Sequence, residues 1–158
     1  MTRKINKKTL DLIISFESLA RIGEDGLIYP YHDMLGYPTI GVGHLLSKIV
    51  NEDLSKYDPI TKDEAYVLHE QDVNKFSDGV SSLLSVDVTD NQFGAIVSLA
   101  YNIGLGNLKS STLIKKLNTN TPNDEVGEEF LKWNKGGGVV IAGLTRRTIA
   151  EQSLFLES

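Results

Sequence analysis

Apolar residues recur every three or four positions through several stretches of this chain, and one stretch between them is rich in glycine, β-branched and aromatic residues instead. Ile5, Leu10, Ile13, Ile14 and Phe16 predict a first helix, capped by Asn6 and ending near Phe16. Thr61-Lys62-Asp63-Glu64 has the form of a capping box, and Ala65, Leu68, Asp72, Phe76, Val80 and Leu83 continue from it as one stripe, so a long helix follows. Asp72 interrupts that stripe and needs a partner if buried; His44 is the expected one, in a structural pair. Asp90 is expected to cap a helix in which Phe93, Ala95, Ile96, Val97, Leu99, Ala100 and Ile103 leave almost no polar side, the mark of a central core helix ended by Gly104-Leu105-Gly106. Shorter helices are expected at about 110–117 and, with Pro122 near the first turn, at about 123–133. Trp133 reads as a core or lobe-junction anchor on the second of these. Lys135-Gly136-Gly137-Gly138 breaks the chain before a last helix at about 144–156.

The exception to the helical pattern lies between Arg21 and Leu46. Gly23, Gly26, Gly36, Gly41 and Gly43 alternate there with short β-forming runs, which predicts short strands joined by tight turns, with Asp25-Gly26 as one hairpin turn. Glycines at 41 and 43 imply backbone packed closely against something, either a substrate or the first helix. The order helix, small sheet, long helix, helical bundle is α+β, with a β-rich lobe at about 18–60 and a helical lobe at about 61–158 joined by the first helix. Lobe junctions are common ligand sites, so a cleft is expected where the first helix enters the sheet.

Length and composition narrow the class. A chain of 158 residues, 41% hydrophobic and 23% charged, has the size and makeup of one globular domain without low complexity or repeats. With no Cys, a disulfide framework, a thiol nucleophile and Cys-based metal sites are all excluded. The basic start (Arg3, Lys4, Lys7, Lys8) leads into an apolar segment broken by Asp11, Ser15 and Glu17, so no signal-peptide core or membrane span is expected. Net charge is −5, with ten acids against three lysines over 51–90 and seven basic residues against four acids over 107–147. The dense basic footprint of a nucleic-acid binder is missing. His32, His44 and His69 show no HExxH, no i,i+4 pair and no Cys partner, so neither metal nor cofactor is expected.

The candidate chemistry sits where helix gives way to sheet. Glu17 falls at the C-terminal end of the first helix, where the negative end of the helix dipole and apolar Phe16 and Leu19 favour a protonated carboxyl, as a general acid requires. Asp33 follows Tyr31-His32, and Thr39 comes six residues later in Thr-Ile-Gly-Val-Gly-His. Two carboxylates among 21 acidic residues mean little alone; one at a helix end and another before a turn suit acid/base cleavage of a glycosidic bond.

These motifs resemble those of the phage-type lysozymes (muramidases), and most of all its T-even members: Phe-Glu at the end of helix one, then Asp-x5-Thr running into Thr-Ile-Gly-x-Gly-His-Leu-Leu. The likeness continues through Ile60–Ala65, Gln71-Asp72-Val73, Asn102-Ile103-Gly104-x-Gly106, Ser111-Thr112-Leu113 and Gly143-Leu144-Thr145-Arg146-Arg147, essentially the whole chain. It implies a lysozyme-like fold and an endolysin that hydrolyses the β-1,4 bond between N-acetylmuramic acid and N-acetylglucosamine in bacterial peptidoglycan during phage-induced lysis. By the same resemblance Glu17 is the general acid, Asp33 the second carboxylate and Thr39 the residue that positions water. Leu45 and Tyr101 would line the sugar cleft and Asn102 would hydrogen-bond the glycan, with Thr112 a weaker candidate; Arg146 and Arg147 would meet stem-peptide or site carboxylates, or else stand as solvated charges on the last helix. A monomer is implied, held in the host cytoplasm until a separate membrane-pore protein admits it to the wall. Two features depart from the pattern: Ser18 stands where Gly is common, and extra residues lie around Ile22–Ile28. A lytic transglycosylase, or a wall-binding or virion structural module without catalysis, is the alternative; inversion or retention is set by carboxylate spacing.

Overall fold

The computed structural model describes residues 3–17 and 19–157, so the Ser18 position lies outside the described residues. The chain forms two compact units, one made of residues 17–72 and the other of residues 1–16 with 73–158. Helical residues predominate, and the small sheets are antiparallel, so the class is α+β.

In the larger unit, α1 (Lys7–Phe16) starts where Asn6 Oδ1 accepts the Thr9 amide at 3.0 Å, the expected cap. Helix α3 (Asp90–Ile103) is buried without a break from Phe93 to Ala100 and is the core helix that its pattern predicts. Its cap is one residue earlier than expected: Thr89 and Gln92 form the capping box, and Asp90 instead pairs with Arg3 at 2.8 Å. Gly94 lets α1 come close, because a Cβ there would lie 1.7 Å from Thr9 Oγ1. A five-residue helix α4 (Leu105–Lys109) follows Gly104, then α5 (Thr112–Asn118), capped by Ser111, and α6 (Asn123–Phe130). Helix α6 stops before Trp133, which is partly buried against the core from a loop rather than from a helix. The Lys135–Gly138 stretch does not simply break the chain: Gly137 and Gly138, both at positive φ, close a two-residue hairpin between β4 (Lys135–Gly136) and β5 (Val139–Val140). The last helix, α7 (Ala142–Leu156), packs on α1, α3 and α6, and Phe130 and Phe155 meet at 5.4 Å in the core.

The smaller unit holds the sheet β1 (Tyr31–His32), β2 (Pro38–Ile40), β3 (His44–Leu45), a 3-10 turn at Leu54–Lys56 and the first half of α2 (Lys62–Leu83). The Thr61–Glu64 capping box forms as expected, with reciprocal bonds of 3.1 and 3.2 Å. The fully buried positions of α2 are Ala65, His69, Val73, Ser77 and Val80, so the inward line runs through two polar residues that the apolar stripe passed over. Ile28, Ile40 and Ala65 form this unit's own core, with Leu19, Leu46, Ile60 and Leu68 around them. Each large apolar side chain buried in this way contributes roughly 1.5–3 kcal/mol.

Candidate active site

The three catalytic candidates all belong to the smaller unit. Glu17 is the first residue after α1 and is half-buried. Asp33 and Thr39 are held by the β1–β2 hairpin, whose register pairs Tyr31 with Thr39, and Thr39 in turn with Leu45 on β3. Directly paired residues point to the same face, so Tyr31, Thr39 and Leu45 form a row across the sheet. Asp33 lies two residues beyond Tyr31, just past the end of β1, where the loop into β2 begins.

The turn fixes Asp33. Its backbone N–H donates to Tyr37 O and its O accepts from Gly36 N, both at 2.9 Å, and Gly36 sits at φ +86. This is a three-residue loop, a type I turn closed by a left-handed glycine. The Asp33 side chain completes it: Oδ1 accepts the N–H groups of Leu35 at 2.8 Å and Tyr37 at 2.9 Å, while Oδ2 has no donor among the described residues. One oxygen therefore anchors the carboxylate and the other is left for chemistry. Thr39 is buried, and its hydroxyl donates to Tyr37 O at 2.9 Å. With its proton engaged, Thr39 Oγ1 presents lone pairs, an acceptor of fixed direction.

Close packing supports this hairpin from behind. A Cβ on Gly41 would lie 3.1 Å from the Ala65 Cβ, so the close approach is to α2 and not to the first helix. At Gly43 nothing crowds the position, and its φ of +70 alone explains the glycine. His44 Nδ1 and Asp72 Oδ2 lie 2.8 Å apart, the pairing expected from the sequence. That bond ties β3 to α2.

Among the proposed substrate contacts, Leu45 is exposed at the end of the row. Tyr101, Asn102, Thr112 and Arg146 belong to the other unit. Tyr101 is half-buried, edge-on to Phe76 with ring centroids 5.5 Å apart, and Asn102 beside it on α3 is half-buried. Thr112 opens α5 and is exposed, as is Arg146 on α7, whereas Arg147 is buried with Glu151. No group of three or more His, Asp or Glu residues able to hold a metal ion occurs among the described residues.

The sequence marks Tyr31 only as part of the Tyr31-His32-Asp33 run and does not mark Arg21. The Arg21 guanidinium lies 5.6 Å from the Tyr31 ring centre. Burial holds the Tyr31 hydroxyl above the usual phenol range, the Asp33 carboxylate adds to that, and Arg21 opposes it. The hairpin register places Tyr31 opposite Thr39 and so adds its ring to the site.

Comparison with known proteins gives the family. The phage lysozyme family model matches residues 25–151, a span that includes Asp33 and Thr39 and starts after Glu17. The endolysin of Bacillus phage B103 is 44% identical over 152 residues, covering 96% of this chain and 54% of that protein. The chain thus spans about half the length of the curated Bacillus phage relatives it matches. Among solved structures, the muramidase domain of SpmX from Asticaccaulis excentricus superposes with a TM-score of 0.80 at 28% identity, covering 99% of both chains. A lysozyme variant of phage P22 gives 0.79 at 29% identity, over 98% of this chain and 99% of that one. The fold is lysozyme-like, and the match over most of its length shows that this chain belongs to the phage lysozyme family.

Proposed function

We propose that this chain is an endolysin module that cleaves the β-1,4 bond between N-acetylmuramic acid and N-acetylglucosamine in bacterial peptidoglycan by hydrolysis. The observation that carries the reading is the Asp33–Thr39 pair. A water that attacks a sugar carbon must give one hydrogen to a base and the other to a second acceptor, so that a lone pair faces the carbon. Asp33, held through Oδ1, offers Oδ2 as the base, and Thr39 Oγ1, with its own proton committed to Tyr37 O, offers the second acceptor. Glu17 is the general acid that protonates the departing glycosidic oxygen. Tyr101, Asn102, Thr112, Arg146 and Leu45 enter the proposal singly, from the family likeness, as sugar or stem-peptide contacts.

The biological setting is proposed on the same basis: release of phage from its host, with the enzyme held in the host cytoplasm until another protein opens the membrane. Among the described residues no helix is long and apolar enough to cross a membrane. Mass spectrometry of fragments released from purified peptidoglycan, wild type against Glu17→Gln, tests the reaction. Disaccharide peptides with a reducing muramic end, absent with the variant, support hydrolysis. Anhydro ends would mean a transglycosylase, cleaved stems an amidase or peptidase, and no release from the wild type a binding module.

A further inference from the structure

The segment around Ile22–Ile28, which sets this chain apart from the family pattern, is tied down at three places. At its tip, Gly26 donates to Gly23 O at 3.0 Å and Gly23 donates to Leu27 O at 2.8 Å, the same loop type that carries Asp33, with Gly26 the left-handed residue; Asp25-Gly26 is therefore not a two-residue turn. Asp25 reinforces it by accepting from Leu27 N at 3.0 Å and from the Tyr29 hydroxyl at 2.5 Å. In the middle, Ile28 is fully buried and exchanges two backbone bonds with Ile60, at 2.7 and 2.9 Å. At the root, Tyr29 N–H donates to Arg21 O at 3.1 Å.

That root bond fixes an unusual residue. Arg21 has a φ of 61°, a left-handed conformation that costs a residue with a side chain on the order of 1–3 kcal/mol and persists where surrounding structure imposes it. Its side chain is exposed, lies over the Tyr31 ring at 5.6 Å from its centre and has no carboxylate within ion-pairing distance among the described residues. It is the only arginine among residues 17–72, which hold eleven acids against four basic residues. Such a surface repels an anionic polymer unless one cation is set out to receive it. A guanidinium held over an aromatic ring at this distance keeps its N–H groups available to a carboxylate. The ring beneath it belongs to the row that contains Thr39, two residues from Asp33.

We infer that Arg21, presented by the Ile22–Ile28 hairpin and held over the Tyr31 ring, binds a carboxylate of the stem peptide on the glycan and makes the enzyme prefer peptide-bearing strands. The inference rests on the peptidoglycan reading above. Its test is calorimetric binding of the chain carrying Glu17→Gln to two probes, glycan fragments with their stem peptides and the same fragments stripped by an amidase.

The peptide-bearing fragments should bind about tenfold more tightly, the share of one charge-assisted hydrogen bond. Arg21→Asn, which removes the guanidinium but suits a left-handed backbone, should bring the two affinities together, and Arg21→Lys should recover part of the difference. A preference that survives Arg21→Asn, or an equal loss on both probes, would overturn the inference. So would Arg21-dependent binding of polyglycerol phosphate without any stem preference, which would make wall phosphate the anion. Failure of the muramidase reading is seen separately, as no bond cleavage by the chain with its native Glu17, because the binding comparison needs no turnover.

Discussion

Glu151 allows a quantitative test of the larger unit's core. Its carboxyl is fully buried on α7; Oε2 accepts the Ser98 hydroxyl at 2.5 Å and faces Arg147 Nε at 3.4 Å, while Oε1 accepts no hydrogen bond from any described residue. Burial pushes its pKa up to about 7 from 4.5, and the bonds from Ser98 and Arg147 offset only part of that. Because the folded pKa exceeds the unfolded one, the folded chain holds more protons between those values. The stabilisation is therefore full below about pH 4.5 and is lost as pH rises through 7.

Between pH 5 and 8 the loss is about 2–3 kcal/mol by proton linkage. Other groups also titrate, so the quantity to follow is the unfolding free energy of wild type minus that of Glu151→Gln, from urea titrations at pH 5, 6, 7 and 8. Gln keeps an oxygen for the Ser98 hydroxyl and has no such titration. The difference should fall by about 2–3 kcal/mol across the series. A difference that stays flat, or rises with pH, would refute the burial argument.

Two glycine positions extend the account. Gly94→Ala places a methyl 1.7 Å from Thr9 Oγ1 and should cost more than about 3 kcal/mol in chemical denaturation, with Thr9→Ala in the same chain recovering part of it; a loss under about 1 kcal/mol would show that α1 and α3 are not held together as described. Gly41→Ala and Gly43→Ala both force a left-handed residue at about 1–2 kcal/mol. Only Gly41→Ala also presses on Ala65, so it should be the more damaging in thermal melts, and equal melting temperatures would contradict the α2 contact.

Much of this structure was legible in the sequence where periodicity and capping agree. The α1 cap at Asn6, the box at Thr61–Glu64, the buried α3 and the His44–Asp72 pair follow from residue type and spacing. What escaped was set by tertiary context or backbone conformation. His69 and Ser77 lie on the inward line of α2, which an apolar stripe cannot mark. Helix α4 is one turn, too short to show a period. Asp90 reads as a cap, but Thr89 with Gln92 satisfies two amides at once. Gly136-Gly137-Gly138 reads as a break until Val139 and Val140 pair back on it. At the candidate site the hydroxyl and carboxyl residues were readable as a motif, whereas the Arg21 contact depends on a left-handed backbone that nothing in its own residue type announces. Glu151 was equally hidden, since a Glu in an amphipathic helix ordinarily faces water.

On the proposed mechanism Asp33 performs chemistry while its turn only holds it in place. Asp33→Asn separates the two, because the amide oxygen can still accept from Leu35 and Tyr37 and preserve the hairpin. The decisive measurement is the initial rate of reducing-end formation from purified peptidoglycan by Asp33→Asn relative to wild type, for protein with an unchanged melting temperature. A fall of about 10²–10⁴-fold is predicted for loss of the base. A rate within a few-fold of wild type would contradict the account.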